Sequence, residues 1–255
     1  MRKVCRADNI REEHFIKHRK DSRFTQPDLI LLFVSCEKFK DRWTRIDWMC
    51  ERLGIANYFI VSGGNSETVY DDTNHRIYLE CDDSYEFLPS KILTMLEETH
   101  SRYPTAVLWK IDDDVALLAD SKQFQVLEGQ INHLSRIPKT SFLAAKAVKN
   151  PGGLSSPGDW CVGRCEPGSS WNTTPYLGEY PSAWANGGLS YIIGPPALEV
   201  LASTTENPVL HVLEDVMISL IIEQESKRQI TVMEMPALRS QISTNIYNHG
   251  TTTHR

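Results

Sequence analysis

The stretch TAVLWKIDDDVALL, Thr105 to Leu118, sets three consecutive carboxylates, Asp112, Asp113 and Asp114, at the end of an apolar run. A short apolar run closed by polar residues reads as a buried strand. Outward from it, short apolar runs alternate with longer amphipathic ones, the pattern of a mainly parallel sheet flanked by helices. DLILLFVS (Asp28 to Ser35) reads as the first strand, and DRWTRIDWMCERLG (Asp41 to Gly54) as a helix ending at a glycine cap. NYFIVSGG gives a second strand and turn, RIYLEC (Arg76 to Cys81) a third strand, EFLPSKILTMLEETHSRY a helix, and TAVLWKI the fourth strand. After the triplet come a helix near Ser121 to Arg136, a strand SFLAAKAV, a strand ANGGLSYIIG with a glycine pair at its start, a helix LEDVMISLIIEQES and a last strand QITVMEM. There is no internal repeat.

The rhythm breaks between Asn150 and Trp184, which is rich in Gly, Pro and Ser yet carries Trp160, Trp171 and Trp184. A disordered linker seldom holds so many aromatic residues. Two readings stand: a long connection pinned to the core by its tryptophans, or a loop that covers a ligand.

Composition narrows the function classes. With 255 residues and 41% hydrophobic content the chain can bury a full core in one domain, and a net charge of -6 gives no general affinity for nucleic acid or anionic membrane. Residues 1–26 form a basic arm with eight Lys or Arg against four Asp or Glu, read as a solvated arm or surface helix ahead of a domain spanning 27–255. Cys5, Cys36, Cys50, Cys81, Cys161 and Cys165 are scattered through a chain too large to need disulfide staples, which favours a reducing compartment. Cys161 and Cys165 lack the second close pair that a structural zinc site needs. No apolar stretch approaches the ~20 residues that span a bilayer, and the amino terminus has no signal-peptide core, so a soluble, cytoplasmic protein is expected. On that expectation the sequon Asn172-Thr173-Thr174 reads as unused.

In an open sheet, ligands sit beyond the carboxyl ends of the strands, where the acidic triplet falls. Packed carboxylates repel one another and are tolerated in open solvent or around a cation. Hard oxygen ligands suit Mg²⁺ or Mn²⁺, ions that keep open positions for substrate phosphates.

Asp-x-Asp, met by Asp112 and Asp114, resembles the signature of GT-A nucleotide-sugar glycosyltransferases. More specific text surrounds it. DDSYEFLPSKILTMLE is similar to the family 31 (β-1,3-galactosyltransferase and Fringe-like) pattern Asp-x-Tyr-x-Asn-Leu-x-x-Lys, matched by Asp83, Tyr85, Leu88 and Lys91, with Phe87 in place of Asn. WKIDDDV resembles Lys-x-Asp-Asp-Asp-Val, YPSAWANGGLSYIIG the Tyr-Pro-x-Tyr-x-x-Gly-Gly segment, and LEDVMISLII the Glu-Asp-Val block, with Ser219 where Gly is usual. RWTRIDW is a looser echo of Ile-Arg-x-Thr-Trp.

The resemblance implies a GT-A fold: one α/β domain with a Rossmann-like mixed central sheet flanked by helices. It also implies an inverting transfer of sugar from a UDP-sugar (galactose, N-acetylglucosamine, glucose or xylose) to a glycan on an oligosaccharide or glycoprotein. Asp114 would hold Mn²⁺ or Mg²⁺, with Asp112 turned toward the donor's ribose or sugar. Asp113, Asp83, Lys91 and Arg45 belong to the donor side in this reading, and Gly187 and Gly188 let backbone approach the sugar. Asp215 is the expected base, Glu214 the second choice. Trp160, Trp171 and Trp184, in the loop 150–184, would meet the acceptor. His249, before His254, would complete the metal shell. A chain without a membrane anchor is similar to soluble versions from bacteria or large DNA viruses of algae. The competing expectations are a catalytically idle carbohydrate- or nucleotide-binding module on the same fold and a metal-dependent phosphoryl transferase. The latter wants a phosphate-cradling loop, and SGGN (Ser62 to Asn65) lacks the Lys and Ser/Thr of a P-loop.

Overall fold

The computed structural model describes residues 28–149, 163–174, 176, 178–208 and 211–243. The basic arm, Trp160, Cys161, His249 and His254 lie outside the described residues. Strands β1 (Leu29–Val34), β2 (Tyr58–Ser62) and β5 (Val107–Asp112) form the centre of an eight-stranded sheet, with β1 parallel to both neighbours. All six residues of β1 are buried, as expected of a strand covered on both faces. Helices α1 (Trp43–Leu53), α2 (Leu88–Arg102) and α3 (Ser121–Leu134) supply the crossovers, and β3 (Val69–Asp71) and β4 (Arg76–Tyr78) extend one edge. The short β6 (Ala116–Leu117) lies outside this sheet and pairs later in the chain.

Past β5 the sheet becomes mixed. β7 (Phe142–Ala144) lies next to β10 (Ser190–Ile193), which runs antiparallel between β5 and β7. Ser190 pairs with Ile111, so the start of β10 lies beside the end of β5. That one reversal brings the glycine pair alongside the acidic triplet. The predicted strand SFLAAKAV is split: Ala145 still donates to Ser190, then the chain leaves the sheet as β8 (Ala147–Lys149) to pair with β9 (Ala183–Ala185). The last predicted strand shrinks to β11 (Met233–Glu234) against β7. Helices α4 (Pro195–Ala202) and α5 (Glu214–Glu225) follow β10, and after β11 come α6 (Pro236–Ser240) and β12 (Ile242–Ser243), which pairs with β6.

Strand alternation sorts the core into two layers. Leu31, Phe33, Trp109 and Ile111 pack with Trp43, Ile46 and Leu53 of α1 and Phe124, Leu127 and Ile131 of α3. Ile30, Leu32, Leu108 and Tyr191 pack on the other face with Ile92, Met95 and Leu96 of α2, with α4, and with Met217, Ile218 and Ile221 of α5. The helix ends obey local chemistry. Gly54 closes α1 at φ 72°, a left-handed conformation that favours glycine, and Asp120 with Gln123 forms a reciprocal capping box on α3.

Candidate active site

The carboxyl ends of β1, β2 and β5 lie side by side at one end of the sheet, where β5 and the residues before β10 reach the first turn of α5. The three aspartates diverge there. Asp113 turns inward and is 7% exposed. Its Oδ2 accepts from Ser35 Oγ at 2.7 Å, its Oδ1 from Arg42 at 2.6 Å, and Trp43 Nε1 donates to Ser35 Oγ at 2.9 Å. Asp113 therefore locks the end of β5 to the end of β1 and the start of α1, where a donor-side contact was expected. Asp112 and Asp114 are half-buried. Burial, followed by the charge of Asp112, pushes the Asp114 carboxyl above its ordinary range.

Asp83 and Lys91 come together as the resemblance implies. Lys91, 3% exposed, donates to Asp83 at 2.7 Å and to the Ser35 carbonyl at 2.9 Å. Asp83 also accepts from the backbone N–H groups of Gly63 at 2.7 Å and Glu37 at 2.8 Å. The pair thus fixes the turns that follow β1 and β2. A side chain on Gly63 would meet the Cys81 carbonyl at 2.9 Å, so the turn of β2 is pressed against this clasp. Arg45 is half-buried on α1, and Arg42, three residues earlier, makes the ion pair with Asp113.

On the opposite side of β5 lies a second network, centred on a lone Lys in an apolar strand. Lys110, 1% exposed, reaches Asp112 at 2.5 Å, Glu214 at 2.7 Å and the Gly187 carbonyl at 2.9 Å. Tyr191 donates to the other oxygen of Glu214 at 3.3 Å. Burial opposes the Lys110 charge, but the two carboxylates outweigh it and hold the ammonium firmly protonated. Burial pushes Glu214 up to about 7 despite Lys110.

Asp215 is half-buried at the amino end of α5. Its oxygens accept from the N–H groups of Gly187 and Val216, each at 2.9 Å. Burial raises its pKa, and the two backbone donors and Lys110 pull the other way. Gly187 earns its place by contact with these acids: a Cβ there would lie 2.5 Å from Glu214 Oε1 and 2.9 Å from Asp215 Cβ. At Gly188 the nearest atom, 3.7 Å away, leaves ordinary room.

The aromatic loop packs on itself and on α5. Trp184, 6% exposed, lies in a cluster with Cys165, Tyr176, Val212, Leu213 and Val216, against which Trp171 and Tyr180 rest. Burial corrects the acceptor-stacking expectation for Trp184, whose ring faces protein. Tyr176 stands 3.1 Å from His211 Nδ1, and His211 Nε2 is 3.0 Å from Glu206, so the loop is tied to the segment leading into α5.

Among the described residues no three His, Cys, Asp or Glu side chains form a metal-holding group, and no helix is long and apolar enough to cross a membrane. Lys110 joins the carboxylates at the strand end to the acidic pair at the helix start. The family model described as Galactosyltransferase matches residues 42–232, and the chain belongs to that family. It acts, accordingly, on a sugar donor and a glycan acceptor. No curated protein matches the chain. Among solved structures it is similar to a Bacillus anthracis protein assigned as a glucose-1-phosphate thymidylyltransferase, in complex with sucrose, at 10% identity and TM-score 0.42, covering 81% of this chain and 87% of that one. That likeness is too slight to inform the chemistry.

Proposed function

We propose that the protein is an inverting, divalent-metal-dependent glycosyltransferase that moves a sugar from a UDP-sugar to a glycan hydroxyl by direct displacement. The observation that carries this reading is the contrast within the acidic pair of α5. Glu214 is buried and engaged by Lys110 and Tyr191, whereas Asp215 is half-open beside the strand end that bears Asp112. A carboxylate has about four lone-pair sites, so two backbone donors leave Asp215 able to accept an acceptor's hydroxyl proton. Its raised pKa makes it a stronger base. The acceptor oxygen bonds to the anomeric carbon as the bond to the diphosphate breaks, and the proton passes to Asp215.

The donor set suits a hard cation: two half-buried carboxylates, Asp114 raised first by burial and then by the charge of Asp112, with remaining positions left to phosphate and water. Asp114 and Asp112 would hold Mn²⁺ or Mg²⁺. The ion, when bound, stabilises the charge that builds on the leaving diphosphate. The Asp83–Lys91 clasp shapes the donor side by fixing the turns of β1 and β2.

The test is UDP release from UDP-galactose, UDP-N-acetylglucosamine, UDP-glucose and UDP-xylose with and without Mn²⁺, followed by NMR of the transfer product. Metal-dependent release and an anomeric configuration opposite to the donor's support the reading. Retained configuration overturns the single-base displacement, and tight UDP binding without turnover would leave an idle binding module.

A further inference from the structure

Lys110 occupies a core position. Leu108 and Tyr191 flank it on the sheet face covered by α5, and an apolar side chain there would avoid the cost of taking an ammonium out of water. Its three donors are nonetheless matched by three acceptors on separate elements: Asp112 at the end of β5, the Gly187 carbonyl before β10, and Glu214 on α5. Gly187 is also the residue whose N–H holds Asp215. The Tyr191 ring lies 5.3 Å from the ammonium and its hydroxyl braces Glu214.

We propose that Lys110 is a positioning residue that sets the donor-side carboxylate Asp112 and the base Asp215 at a fixed spacing, acting on the first directly and on the second through Gly187 and Glu214. The inference rests on the glycosyltransferase reading above and deepens it. Neither metal nor substrate need touch Lys110. A bland alternative is that the ammonium only offsets the buried charge of Glu214, and the two accounts part when Glu214 is made neutral.

The experiment compares Glu214→Gln with the double variant Lys110→Met/Glu214→Gln, since Lys110→Met alone would strand a buried carboxylate. In the double variant the urea midpoint should be no lower than in Glu214→Gln. Calorimetry with UDP and Mn²⁺ should nevertheless show affinity weakened ~10- to 100-fold, the loss typical when the partner of a ligating side chain is removed. Turnover should fall by a similar factor where Glu214→Gln retains any. If the double variant matches Glu214→Gln in UDP affinity and turnover, Lys110 serves only to neutralise Glu214 and the proposal fails. The unaltered protein separates the two levels: if it neither binds UDP with Mn²⁺ nor releases UDP from a donor, the functional reading falls, whereas normal binding and turnover with an unchanged pair of variants sinks Lys110 alone.

Discussion

Asp113 and Asp114 are sequence neighbours with different surroundings, and alanine at each should separate a structural role from a ligand role. Asp113→Ala deletes the buried acceptor shared by Ser35 and the half-buried Arg42, so it should cost ~1–3 kcal/mol in urea denaturation. Asp114→Ala removes a carboxyl already lifted by burial and repulsion, so its unfolding midpoint should hold while calorimetric affinity for UDP with Mn²⁺ is lost. Asp215→Asn keeps that affinity, and its turnover should fall by the ~10²- to 10⁴-fold expected for a missing general base. Motif spacing located these acids but could not rank them, because which carboxylate turns inward depends on Ser35, Arg42 and Trp43, contributed by other segments. Lys110 carried a readable signal, a charge inside an otherwise apolar strand. Its partner on α5, Glu214, is 104 residues away and had no local trace.

At the scale of elements, the strands and helices legible in the sequence are those long enough to display a period. β1, β2, β5 and α1, α2, α3 and α5 all follow the pattern of their apolar residues. What escaped were three-residue strands such as β3 and β9, too short to alternate, and α4, eight residues entered through Pro195 and Pro196. SFLAAKAV reads as one strand because nothing local marks Ala145 and Lys146 as the point where pairing passes from β10 to β9. The antiparallel insertion of β10 was likewise invisible, yet it delivers Gly187 to α5. Gly187→Ala should force Glu214 off Lys110 or push α5 away, costing ~1–3 kcal/mol as overpacking does, with a fall in turnover. Gly188→Ala, whose added Cβ would make an ordinary 3.7 Å contact, should change stability by no more than about 0.5 kcal/mol. Urea midpoints of the two variants check the contrast.

The whole molecule carries the raised acids as a dependence of stability on pH. Glu214 is pushed up to about 7 by burial, against the pull of Lys110 and with help from Asp215 and Asp112, while in the unfolded chain it returns to the ordinary carboxylate range. Between those two values the folded protein binds more protons than the unfolded one, so stability falls as pH rises through the window. Asp113, Asp114 and Asp215, also raised, add slopes of the same sign. Asp82, lowered by its bonds to Ser84, acts in the opposite direction: its contribution is present above the ordinary carboxylate range and is lost as pH falls below it. Glu214 sets the sign between the ordinary carboxylate range and about 7. Urea midpoints measured from pH 4 to 8 should therefore decline toward neutral pH, and Glu214→Gln should flatten that decline because its side chain does not titrate. Mn²⁺ with UDP should oppose that decline, since a ligating carboxylate must be deprotonated and the ion therefore stabilises the folded state more as pH rises. A decline that persists unchanged in Glu214→Gln would assign the slope to the other acids, and a ligand effect independent of pH would separate metal binding from the protonation of Asp114.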